Sequence, residues 1–257
     1  MNIDLNCDTG ELLPGQNHNF DADLMPYLSS CNVACGFHSG TPWVMEQTIR
    51  AALAAGVAVG AHPSYADRTN FGRVSVAEKL NVLRAQWRYQ ISAVKGMVES
   101  LGGQLAHVKP HGALYNDLAK NERLATAFVE VVKSIDPNLK IMVLAHSLAI
   151  DCCLAQGMQP IREGFADRRY VAVNALQSRQ QEDAVLHRIK AVLNQVNGFL
   201  KGEVTLASGD IVPVQIESIC LHSDTPGAVM LSHQIHACLC THGVNIAAGR
   251  CWPCSRG

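Results

Sequence analysis

Seven short β-prone runs, separated by longer stretches with helical periodicity, constrain this chain more than any other feature. The runs are 2–7, 32–35, 57–61, 104–108, 140–144, 159–162 and 217–221. The amphipathic stretches are roughly 42–55, 76–101, 118–134, 147–156, 181–200 and 226–242. Strands that alternate with helices form βα units, and their strands lie parallel in one sheet. Seven such strands predict an α/β fold, a distorted or incomplete (β/α) barrel; an open doubly wound sheet shares the same periodicity. Residues 203–215 break the rhythm: Val204-Thr205-Leu206, then Ser208-Gly209-Asp210, then Ile211-Val212. That pattern predicts a β-hairpin excursion turning at Ser-Gly-Asp. No linker or low-complexity segment interrupts the chain, so we expect one barrel domain over 1–245 and a tail over 246–257.

In parallel α/β folds the carboxyl ends of the strands share one rim, where ligands bind. The ends of the seven runs carry Asp8 with Glu11, then His38, His62, Lys109 with His111, His146, Glu163 with Asp167 and Arg168, and His222 with Asp224. A lone histidine after a strand is commonly a turn or cap residue, but seven ionisable ends together predict a site. His146 is the weakest of them, because Ala-His-Ser can simply cap the next helix. Lys109 and Asp8 are the strongest, because charge at a barrel mouth needs a partner or a purpose. His38-Ser39-Gly40-Thr41-Pro42 parallels His222-Ser223-Asp224-Thr225-Pro226. In both, Thr suits an N-cap and Pro the first helical residue, which aims a helix N-terminus at the rim.

Composition narrows the function. Hydrophobic residues are 48% of the chain, charged residues 17%, and the formal net charge is −1. No Lys/Arg cluster occurs, which disfavours a nucleic-acid or anionic-membrane partner. The longest apolar stretch, 51–61, is too short for a membrane span. The first residues lack a basic and apolar leader pattern, so a soluble cytoplasmic protein is expected. Of ten cysteines, most, such as Cys35, Cys152, Cys153, Cys220 and Cys238, read as reduced core thiols. Cys251-Trp252-Pro253-Cys254 opens no helix and reads as a tail without redox function. Cys31 with Cys35, and Cys238 with Cys240, make no convincing zinc pattern.

The rim set admits two chemistries. Asp8, His38 and His62 can hold a divalent metal, or Asp8 can serve as a general base for water with a histidine as acid. Lys109 can stabilise negative charge on a carbonyl oxygen or hold a substrate carboxylate, and Glu163 and Asp167 can hold a cationic group. Together they point to hydrolysis at a carbonyl of a small polar substrate. The chain has no GxSxG elbow, no phosphate-binding GxxxxGK[ST] and no GxGxxG.

Several longer motifs resemble the LamB/YcsF family: Asn6-Cys7-Asp8-Thr9-Gly10-Glu11, Asn32-Val33-Ala34-Cys35-Gly36-Phe37-His38, Gly60-Ala61-His62-Pro63 and Phe71-Gly72-Arg73. So do Val108-Lys109-Pro110-His111-Gly112-Ala113-Leu114-Tyr115-Asn116, Phe165-Ala166-Asp167-Arg168 and Asp224-Thr225-Pro226. The resemblance runs in order from residue 2 to about 240. It implies a distorted (β/α)7 barrel similar to polysaccharide deacetylases. It also implies the A-component role in an ATP-dependent 5-oxoprolinase, which opens a cyclic amide to glutamate together with B and C subunits. ATP would be a co-substrate of the complex. On the matching positions it implies Asp8, His38, His62, Lys109 and His111 as catalytic. Glu11, Asn32, Arg73, Tyr115, Glu163, Asp167, Arg168, His222 and Asp224 would contact substrate. Rival readings are a metal-dependent deacetylase or amidohydrolase acting without ATP, and a non-catalytic substrate carrier. Thr41, Ser223 and Gly164 depart from the family pattern, which usually has an acidic residue, Gly and Val there.

Overall fold

The computed structural model describes residues 1–11, 21–225 and 227–248. Seven parallel strands close on themselves in the order β1 (Asn2–Thr9), β2 (Ser30–Ala34), β3 (Ala58–His62), β4 (Leu105–Val108), β5 (Lys140–Leu144), β6 (Gln159–Phe165) and β11 (Ser218–Leu221). Closure is the pairing of β11 with β1, Asp4 opposite Ser218 through Cys7 opposite Leu221. This excludes the open sheet. Each strand lies within about three residues of its expected run.

The helices pack outside. α1 (Asp21–Leu24) and a 3₁₀ turn (Met25–Tyr27) precede β2. α2 (Pro42–Ala54) starts as the Thr-Pro pair predicts: Thr41 Oγ1 accepts from Val44 N at 3.2 Å, and Pro42 is the first helical residue. It buries Met45, Thr48, Ile49 and Ala52, one stripe at helical spacing. α3 (Leu80–Ser100) buries Leu83, Trp87, Ile91, Val94 and Val98 in the same way. The stretch expected at 118–134 is two helices, α4 (Gly112–Leu118) and α5 (Glu122–Ile135). Asn121 divides them, because its side-chain oxygen accepts from Leu124 N and so caps a new helix. α6 (Leu148–Ala155) follows β5.

After β6 the chain detours. β7 (Tyr170–Ala172) and β8 (Ala175–Leu176) form a small antiparallel pair. Residues up to 188 then fold back, with Leu186 N donating to the Asp167 carbonyl. α7 (Ile189–Leu200) therefore starts eight residues later than expected. The predicted hairpin is present as β9 (Glu203–Thr205) paired with β10 (Ile211–Pro213). α8 (Ala228–Thr241) leads to β12 (Asn245–Ile246), which pairs with the start of β1. β12 straddles the expected boundary between barrel domain and tail at 245/246. Residues 249–257, with Cys251 and Cys254, lie outside the described residues.

The barrel interior is polar, unlike the Val, Ile and Leu layers usual inside such barrels. Ile3, Leu5 and Cys7 of β1 belong to the apolar core, while the alternate residues Asp4, Asn6 and Asp8 bond across the barrel. Asp4 meets Ser29, Ser30 and Ser218. Asn6 donates to Glu163 and Ser218 and accepts from Asn32. Glycine is required beside this layer: a Cβ on Gly60 would stand 2.2 Å from His107 Nε2. At Gly164 the room a larger side chain would need is filled by Ile216 and Phe199, about 3.0 and 3.1 Å from a built Cβ. The described cysteines are free thiols, and Cys7, Cys31, Cys35, Cys152, Cys153 and Cys220 are buried. Among the described residues no helix is long and apolar enough to cross a membrane.

Candidate active site

At the carboxyl rim a cavity of about 590 Å³ opens above the polar interior. Asp8, His62, Lys109, His111 and His222 lie on its wall, with Tyr115, Phe165, Arg73 and Arg168. Lys109 is the hub beneath them. Its ammonium is buried and lies 2.8 Å from Asp8 Oδ1 and 2.8 Å from Glu163 Oε1. Asn6 Oδ1 at 3.2 Å and Cys220 Sγ at 3.1 Å complete its surroundings. Burial alone would lower its pKa; Asp8, Cys220 and Glu163 reverse this and hold it well above the usual lysine value. The three ammonium hydrogens have four protein acceptors. The expected grip of Lys109 on a substrate carboxylate therefore gives way to a fixed positive charge that positions Asp8.

Asp8 uses Oδ1 for Lys109 and for Asn32 Nδ2, 2.9 Å away, and places Oδ2 3.3 Å from His62 Nε2. Burial pushes its carboxyl up, but His62 and Lys109 outweigh burial and hold it well below the usual range. Asp8 is an anion at neutral pH.

A second knot surrounds Glu11. Its Oε1 lies 2.9 Å from His38 Nε2, 3.1 Å from His111 Nδ1 and 3.7 Å from His62 Nε2. The His38 and His111 rings stack, with centroids 3.7 Å apart and planes 6° apart. Burial, then the neighbouring His111, lowers the His38 pKa to about 3. Burial lowers His111 too, despite Glu11. Burial also opposes a charge on His62, but Asp8 prevails and raises it. Phe71 and Gly72, both at positive φ, bend the chain over these rings. A Cβ on Gly72 would come within 3.0 Å of both His38 and His111, so this turn needs glycine.

The third group lies around Asp167. His222 Nδ1 is 3.0 Å from its Oδ1, and Thr225 Oγ1 donates to its Oδ2 at 2.7 Å. Burial raises the carboxyl, but His222 and Thr225 bring it to about 2. Thr225 is thus spent on Asp167 and does not cap α8, whose cap position is Gly227. The parallel with Thr41 holds in sequence and fails in structure. Phe165 stacks on His222, centroids 5.3 Å apart.

The remaining expected residues fall into two sets. Arg73, Tyr115, Arg168 and His222 reach the cavity wall. Asn32, Glu163 and Asp167 are fully buried behind it; they hold Asp8, Lys109 and His222 and have no place against a ligand in the cavity. Asp224 pairs with Arg73 and, at 3.6 Å, with Arg179. Tyr115 OH donates to Glu163 Oε2 at 2.7 Å. His146 stands apart, accepting from Gln215 N. Residues missed from sequence are Asn6, His107, Cys220 and Arg179. The first three sit inside strands on the Asp8 side of the alternation, a signal that a period-two reading of polar residues would have shown.

The model of the LamB/YcsF family matches residues 3–251. The chain belongs to the LamB/YcsF family. Two relatives, each named as the A component of 5-oxoprolinase, are similar over nearly their whole lengths. The protein from Methylococcus capsulatus is 39% identical over 97% of this chain and 96% of its own. That from Erwinia tasmaniensis is 41% identical over 96% of this chain and 100% of its own. A crystal structure described as a lactam utilization protein from Thermus thermophilus superposes with a TM-score of 0.89 at 32% identity. It covers 97% of this chain and 100% of its own. The family match thus includes every residue of the three knots.

Proposed function

We propose that this chain is the lactam-handling A component of an ATP-dependent 5-oxoprolinase, and that the rim cavity binds 5-oxoproline. The observation that carries the reading is full-length similarity, near 40%, to proteins named for that role. The site chemistry supports it. A lactam is a resonance-stabilised amide whose amine stays tethered, so opening needs carbonyl activation and a sink. Transfer of the terminal phosphoryl of ATP to the carbonyl oxygen supplies both. Water then adds to that carbon and loses its proton, and the ring C–N bond breaks as nitrogen takes a proton. A second water releases phosphate from the acyl phosphate, leaving glutamate.

Asp8 is the group for the attacking water: it lines the cavity, Lys109 and Asn32 fix its Oδ1, and its Oδ2 lies 3.3 Å from His62 Nε2. Lys109 supplies a buried positive charge under the reacting carbon, worth most where water is excluded. His222, anchored by Asp167, is the proton donor for the opening ring. Arg73 and Arg179 are the partners for the substrate carboxylate. The sequence carries no GxxxxGK[ST] motif, and in this reading nucleotide handling is shared with the B and C subunits.

The test is glutamate formation from 5-oxoproline, with and without ATP and with and without the B and C partners. Glutamate formed only in the full mixture with ATP supports the proposal. Ring opening by this chain alone without ATP, or no product in any mixture, overturns it.

A further inference from the structure

His62 and His111 face each other with their ring hydrogens already assigned by their outer partners. His62 Nδ1 lies 2.7 Å from the Lys109 carbonyl oxygen, and His111 Nε2 lies 2.8 Å from the Phe71 carbonyl oxygen. A carbonyl can only accept, so both of those nitrogens carry hydrogen. The two remaining nitrogens, His62 Nε2 and His111 Nδ1, face each other across 3.0 Å. Glu11 Oε1 completes the triangle, 3.1 Å from His111 Nδ1 and 3.7 Å from His62 Nε2. Glu11 Oε1 has His38 as its outer partner, and between the two imidazole nitrogens stands either a proton on His62 Nε2, 3.3 Å from Asp8 Oδ2, or a cation that takes its place.

We propose that Glu11, His62 and His111 form a binding site for one divalent transition-metal ion. Donors about 2.1 Å from one ion stand roughly 3.0 Å apart at right angles and roughly 3.4 Å apart in a tetrahedron. The three edges, 3.0, 3.1 and 3.7 Å, span those values. Two imidazoles and one carboxylate suit zinc, iron, cobalt or nickel rather than magnesium or calcium. The two carbonyls are the outer partners that ligating histidines usually have. His38 does the same for the carboxylate, with Nε2 2.9 Å from Glu11 Oε1. His38 is therefore a positioning residue, and the set Asp8, His38 and His62 expected from sequence is regrouped. Asp8 spends Oδ1 on Lys109, and His38 turns its bonded nitrogen to Glu11. The grouping Asp8, Cys220 and His222 does not compete, because the Lys109 ammonium touches both Asp8 and Cys220.

The experiment needs neither ATP nor lactam, so its failure is separate from failure of the lactam reading. The full chain is stripped with chelator, titrated calorimetrically with Zn(II) and Co(II), and analysed for bound metal by atomic emission. One ion per chain is expected, with a Co(II) visible spectrum free of thiolate charge transfer. Glu11→Gln and His111→Ala should each weaken binding by at least about tenfold, whereas Cys240→Ser should leave it unchanged. Far-ultraviolet circular dichroism identifies a variant that fails to fold, and the wild-type spectrum decides without any variant. No stoichiometric ion in the wild type, or a thiolate-to-cobalt band that places the ion on cysteines, overturns the proposal.

Discussion

Replacing Lys109 with Met tests how the buried charges are balanced. The lysine is 1% exposed and stands 2.8 Å from each of two carboxylates, Asp8 and Glu163. Methionine keeps much of the stem volume, so the cavity penalty stays small. What is lost is the positive charge, and breaking a buried pair by removing one partner costs about 3–5 kcal/mol. Asp8 keeps Asn32 and His62, and Glu163 keeps Tyr115 and Asn6. These donors place the expected loss at the lower end, about 3 kcal/mol at pH 7. With a urea slope of about 3 kcal/mol per molar, the midpoint should fall by about 1 M. The assay is urea unfolding followed by tryptophan fluorescence. The deficit should shrink as pH falls, because protonation of a stranded carboxylate removes the unpaired charge. Adding Glu163→Gln removes one stranded anion, so the double variant should recover about 1–2 kcal/mol relative to additivity. A single-variant loss under about 1 kcal/mol, or strictly additive losses, would refute the charge-hub account.

Asp8→Asn should reduce glutamate formation by the assembled complex by about 10²–10⁴-fold while the chain still folds; near-wild-type turnover would favour a mere carrier. Gly60→Ala drives a Cβ into His107, which lies 2.6 Å from Asn32 Oδ1. Urea unfolding should show a loss of about 2–4 kcal/mol. Asp167 is held near pKa 2 in the fold and titrates near about 3.9 when unfolded. Its stabilisation is therefore present above about pH 4 and fades as pH falls toward 2. The stability gap between wild type and Asp167→Asn should shrink by about 2 kcal/mol over that range, measured by denaturation at stepped pH.

The barrel was legible because helix and strand periods alternate cleanly, and because strand ends in such folds converge on one rim. The convergence of Asp8, His62, Lys109 and His111 followed from that topology. Roles were less legible, since a role depends on what a side chain has left to offer. Lys109 reads as a substrate contact until its hydrogens are counted. Thr225 reads as a cap until Asp167 takes its hydroxyl. Asn6 and His107 lie inside strands rather than at their ends, and their side chains bond across the barrel. The late start of α7 depends on residues 175–188 returning to Arg168 and Asp167, a nonlocal contact that periodicity does not encode.

The polar interior sets terms for mutational drift. Asp4, Asn6, Asn32, His107 and Glu163 share bonds so densely that one replacement strands donors or acceptors on several strands at once. A lone change at any of them is deleterious even where a coordinated pair would be neutral. Accessible paths through sequence space then run over the helix faces and loops, while the barrel axis changes only through rare concerted steps. A library that randomises these positions one at a time would report them all as intolerant. Randomising hydrogen-bonded pairs together would uncover the alternatives that the fold permits.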